Sequence, residues 1–173
     1  MKASLLTLAF LSSLIAVSPL RADPAAPPPP ELKLLDQFAG NWRYDFTVYK
    51  SEWTPEEKHG TGTFTCQWTV GNRFLEEKGT ESDGSSHMKI FTFDAKAGVF
   101  RSWWFSSLGI FNDSTGRWDA DKRTFIFTTP LPSGQTGTAT LHFVDDKTVE
   151  WDVIFKDAAK VYFHNGGKSV RQP

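Results

Sequence analysis

Only one cysteine, Cys66, occurs in 173 residues. A lone cysteine closes no intrachain disulfide, so the domain has to stand on its core. The chain also lacks a Gly-x-Ser-x-Gly elbow and a phosphate-cradling glycine loop, the usual sequence marks of serine hydrolases and nucleotide enzymes. Its four histidines, His59, His87, His142 and His164, match no zinc spacing. Charge of one sign is lacking too: the net charge is -1 and the pI about 6.4. No bulk positive field attracts phosphate backbones, which argues against a nucleic-acid partner. Tyrosine is scarce, with 3 residues, whereas phenylalanine (15) and tryptophan (7) are plentiful. That supply is ample for a core and favours strands over helices.

The one long apolar run lies at the N-terminus. Met1 and Lys2 open a short positive segment, and residues 5–17 are apolar apart from Thr7 and Ser12-Ser13. Pro19 and Arg21-Ala22 follow. This is the layout of a secretory signal peptide, and the run is too short to span a bilayer. Residues 1–22 are therefore expected to be removed, with cleavage after Ala25 or Ala26 as alternatives. No stable membrane anchor is expected after cleavage, and the mature protein is expected to be secreted or periplasmic. Residues 23–30, with Pro24 and four consecutive prolines from Pro27, read as a stiff polyproline linker. Residues 31–173 form one domain.

In residues 31–38, Leu32, Leu35 and Phe38 recur every three positions, predicting a short helix between Pro30 and Gly40. From Asn41 the period changes to two. Trp42, Tyr44, Phe46 and Val48 share one face. Alternating segments follow at 61–70, 73–81, 87–93, 99–107, 110–118, 123–129, 136–144, 149–155 and 160–170, separated by short turns such as Gly71-Asn72. About ten sequential strands without a long crossover predict an all-β, antiparallel up-and-down barrel or meandering sandwich.

The segment Leu35-Asp36-Gln37-Phe38-Ala39-Gly40-Asn41-Trp42 resembles the start of calycin-type barrels, a short helix followed by Gly-x-Trp. Trp68-Thr69-Val70-Gly71-Asn72-Arg73-Phe74-Leu75-Glu76, Phe93-Asp94-Ala95-Lys96 and Gly116-Arg117-Trp118-Asp119 are similar to a bacterial family known as domain of unknown function 1579. The resemblance covers roughly residues 31–170. It implies a lipocalin-like barrel with Trp42 as its plug, and no established reaction. More distantly, nitrobindin-like barrels also begin with Gly-x-Trp and hold haem through a histidine near the C-terminus. That comparison implies His164 as a metal or haem ligand, although those relatives carry further glycines where this chain has Arg43-Tyr44-Asp45-Phe46.

The leading expectation is a protein that holds a small hydrophobic molecule inside the barrel, lined or plugged by Trp42, Trp68, Trp103, Phe105 and Trp151. The surplus of aromatics at alternating positions motivates it. Arg73, Glu77 and Arg101 are candidates to point inward, where an Arg–Glu pair fixes a polar head group. Residues 101–105 are apolar or aromatic at both parities, consistent with a strand lining a cavity or with one covered by the helix. Glu76 and Glu77 point to opposite faces and cannot act as one acid/base pair. Cys66 reads as a small buried hydrophobe. No cofactor is called for by any motif, an enzyme has the least support, and oligomeric state is not encoded. A haem or metal protein using His164 and a solid-cored interaction module are the rival readings.

Overall fold

The computed structural model describes residues 27–173. The expected signal segment, 1–22, and the first part of the linker lie outside the described residues. Leu32, Leu35 and Phe38 are buried along one stripe of a helix, Pro30–Phe38. It is a 3-10 helix, whose three residues per turn match the three-residue spacing of that stripe.

Ten strands follow: β1 (Gly40–Val48), β2 (Lys58–Thr69), β3 (Phe74–Glu81), β4 (Ser86–Asp94), β5 (Val99–Ser106), β6 (Phe111–Asp119), β7 (Thr124–Pro130), β8 (Thr136–Phe143), β9 (Thr148–Lys156) and β10 (Val161–Arg171). Each pairs antiparallel with its sequence neighbours, and β1 pairs with β10, so the sheet closes into a barrel. Closure leaves no strand edge unpaired. Of the two architectures the alternation allowed, the barrel is the one formed.

A meander puts its turns alternately at two ends. The helix lies at the end where β1 begins and plugs it. Phe38 enters the barrel there and meets the rings of Phe91, Phe125 and Phe143 at centroid distances of 5.2, 5.5 and 4.9 Å. Trp42, 1% exposed, continues the plug. Its indole Nε1 donates to the Phe38 carbonyl (2.7 Å), and its ring faces Phe64 at 5.9 Å. Trp68 fixes the helix from the other side by donating to Asp36 (2.8 Å). From the last strand, Arg171 lies over the Trp42 ring at 4.4 Å and donates to the carbonyls of Gln37 (2.6 Å) and Ala39. A guanidinium suits this position because its planar fork serves two carbonyls while its face covers an aromatic ring.

Candidate functional site

Above the plug the barrel is not filled. A cavity of about 250 Å³ extends from Phe38 and Trp42 toward the opposite end. Its surroundings are divided by strand. β8, β9 and β10 contribute an apolar wall that includes Ala139, Leu141, Val149, Trp151, Val153, Phe155 and Phe163. β1 to β6 contribute Tyr44, Glu77, Glu81, His87, Lys89, Ser102, Trp104, Asn112 and Ser114.

Glycines set the shape of the polar side. Tyr44 pairs with Gly62, and His87 pairs with Gly79. A Cβ at either glycine would come within 2.3 Å of the facing ring. Both rings therefore lie directly against backbone, which brings their polar atoms toward Glu77 and Glu81.

Glu77 is buried, and its Oε1 is 3.1 Å from His87 Nε2. Its other oxygen accepts from the Cys66 thiol at 3.7 Å. Burial is the largest single influence on this carboxyl and opposes its ionisation. The His87 hydrogen bond, the nearby charges of Lys89 and His87, and the thiol together outweigh it, so the group sits below the ordinary carboxylate range. Burial pushes the Cys66 thiol up, and the Glu77 charge adds to this. A thiol in that state is a poor nucleophile, so the structure agrees with Cys66 as a packed hydrophobe. Glu81 accepts from Tyr44 (3.3 Å) and from Ser85 (3.3 Å), with His87 Nδ1 3.9 Å away. Burial, then Glu81, raise the Tyr44 phenol, which stays protonated and donates.

Among the residues singled out from sequence, Trp42, Trp151 and Glu77 line the cavity. Trp68 belongs to the plug. Arg73 lies in the turn before β3, at the plugged end, where its carbonyl accepts from Thr92 (2.7 Å). Arg101, Trp103 and Phe105 form the outer face of β5, so the expectation that Arg101 points inward is corrected. Phe100 is buried in the core and Ser102 faces the cavity, which fixes the parity of β5 and sends the odd-numbered residues out. There Arg101 makes a two-pronged contact with Asp113 on β6 (2.8 and 3.0 Å) and lies over Trp103 at 5.4 Å. His164 also faces away from the cavity, because its neighbours Phe163 and Asn165 are the residues that line it. Its Nε2 is 2.7 Å from Asp152, and its ring stacks on Tyr49 at 4.2 Å. The described residues contain no group of three or more histidine, cysteine or carboxylate side chains placed to hold a metal ion.

Sequence reasoning passed over Tyr44, Lys89, Trp104 and Asn112, and read His87 only as the start of a strand. The available signal was parity: His87 and Lys89 share a face with Phe91, which is 1% exposed, and Glu77 shares one with Leu75, which is fully buried.

A closed ten-stranded antiparallel barrel, plugged by a short helix and hollow above it, defines a calycin-like barrel protein with a ligand-sized interior. The chain belongs to the family described as "Protein of unknown function (DUF1579)", which it matches over residues 27–159. No curated protein sequence matches it significantly. Among solved structures, it is similar to Rv2717c from M. tuberculosis, with a TM-score of 0.64 and 13% identity over 85% of this chain and 100% of that one. It is also similar to the S-type phycobiliprotein lyase CPES from Guillardia theta, with a TM-score of 0.52 and 10% identity over 82% of this chain and 92% of that one. At such identities the likeness concerns the fold.

Proposed function

We propose that this protein is an exported binding protein that holds one small, largely apolar molecule inside its barrel. The cavity carries this reading. An interior space of about 250 Å³ with an aromatic and aliphatic wall and a few convergent polar groups is the usual form of a small-molecule site. A solid-cored interaction module would be packed to the density of ordinary protein interiors, and this barrel is not. The orientation of His164 gives a haem ligand no path into the cavity from that residue.

Titration with neutral apolar fluorophores tests the reading. Trp42, Trp104 and Trp151 line the cavity, so a bound molecule is expected to change tryptophan emission saturably. Ala139 lies on the apolar wall, and Ala139→Phe is expected to weaken binding at least tenfold while the melting temperature stays close to wild type. No saturable change with any of a series of such probes would overturn the proposal. Export rests on the N-terminal pattern alone. N-terminal sequencing of protein recovered from outside the cytoplasm is expected to begin at Asp23, or a few residues later at Ala26 or Pro27; an intact Met1 would refute it.

A further inference from the structure

Some polar groups that line the cavity are paired and some are not; on β10 the Asn165 Oδ1, a buried acceptor, has no partner. Every carboxylate in the cavity is engaged: Glu77 by His87 and Cys66, Glu81 by Tyr44 and Ser85. The opposite holds on the adjoining wall, where β4, β5 and β6 run side by side. Lys89 pairs across the sheet with Trp104, and Trp104 with Asn112, so three cavity-lining side chains stand in one row. Ser102 sits beside them on β5 and is 2% exposed.

Among the described residues, none offers an acceptor within hydrogen-bonding distance to the Lys89 ammonium, the Trp104 indole N–H, the Asn112 amide N–H groups or the Ser102 hydroxyl. Asn112 accepts through Oδ1 from Ser114 at 3.5 Å, which leaves its donors unmatched. Lys89 has a carboxylate directly opposite, since it pairs with Glu77 across β3 and β4. The two nevertheless form no ion pair, because Glu77 is turned to His87. The ammonium instead lies 4.7 Å from the centre of the Phe91 ring.

Donors enclosed without acceptors cost desolvation free energy unless water or a ligand supplies the missing oxygen. A cation in a space of reduced dielectric also attracts an anion more strongly than it would in water. We propose that the molecule held in this barrel is an amphiphile with a single anionic, acceptor-rich head group, a carboxylate being the simplest. The head is bound by Lys89 with Trp104, Asn112 and Ser102, and the apolar remainder lies against β8 to β10. This rests on the cavity being a binding site, and it adds the polarity and charge of the occupant. An amine head group at this wall would meet the Lys89 ammonium as a like charge.

The test separates the two levels. The purified protein is loaded with the neutral fluorophore N-phenyl-1-naphthylamine, which is then displaced by decanoate, decanol or decylamine, with direct calorimetry of decanoate binding in parallel. Decanoate is expected to compete at about tenfold lower concentration than decanol, with decylamine the weakest. Lys89→Met is expected to remove the advantage of decanoate over decanol, the two being compared within the variant against its own fluorophore dissociation constant. Lys89→Arg should retain most of it, and Trp104→Phe should reduce it. Fluorophore binding with no preference for decanoate, or a preference that survives Lys89→Met, overturns the head-group assignment and leaves the cavity reading intact. The absence of both a saturable fluorescence change and heat from decanoate overturns the head-group assignment and the cavity reading together.

Discussion

Trp42→Ala is expected to lower the unfolding free energy by about 3–5 kcal/mol, the range for removing a large aromatic from a core. Three losses coincide at this residue. The side chain is 1% exposed, so its whole packing surface is given up. The Phe38 carbonyl loses the indole donor that ends the helix at 2.7 Å. Arg171 loses the ring beneath its guanidinium, 4.4 Å away, while its hydrogen bonds to Gln37 and Ala39 remain. Trp42→Phe separates these contributions, because it keeps an aromatic ring and removes only the donor and part of the volume. It is expected to cost about 1–2 kcal/mol. Urea denaturation followed by tryptophan fluorescence measures both. Equal midpoints for Trp42→Ala and wild type would mean that the plug does not hold the barrel.

Glu77→Gln is expected to have the second-largest effect, and a pH-dependent one. The folded protein depresses the pKa of Glu77 below its ordinary value. A depressed carboxylate contributes stability that is fully present above its unfolded pKa, about 4.3 for glutamate, and is lost as pH falls through the folded value. Wild type should therefore lose stability as pH drops below about 4.3, and Glu77→Gln should lose less over the same interval. At neutral pH the variant should be weaker by about 3 kcal/mol, because His87 and Cys66 lose a charged acceptor in a buried setting. Melting temperatures measured from neutral to acid pH decide the matter. Parallel curves for the two proteins would show that folding leaves the proton affinity of Glu77 unchanged.

Much of the architecture could be read from the residues. Strand after strand showed the two-residue period with its turn residues, and Leu32, Leu35 and Phe38 marked a helix at the correct place. The plug was legible in Gly40-Asn41-Trp42. The interior was harder to read, for a physical reason. Strand parity is set by which face is apolar, and in a hollow barrel the inner face is allowed to carry polar residues. On β5, Arg101, Trp103 and Phe105 look as much like a cavity wall as Phe100, Ser102 and Trp104 do, and only the burial of Phe100 against Phe93 and Phe125 decides between them. On β4, His87 and Lys89 share a face with Phe91 and lie inside, whereas the apolar Met88 and Ile90 lie on the opposite face. Positions that break the apolar-inside rule are where function concentrates, and they are also where pattern reading is weakest.

The seam between β1 and β10 has a consequence for how the molecule comes into being. Trp42 is paired with Arg171, and the backbone N–H of Gln172 donates to Asn41 at 2.8 Å, so the first strand finds its second neighbour only in the last stretch of chain. During synthesis the other hairpins form between adjacent segments, but the ring stays open until β10 has emerged. Joining two distant segments carries the largest loop-closure penalty in the fold, so this step falls late and sets a slow pace for locking. A chain that has not yet produced β10 is thus an unlocked one, with β1 held by β2 alone.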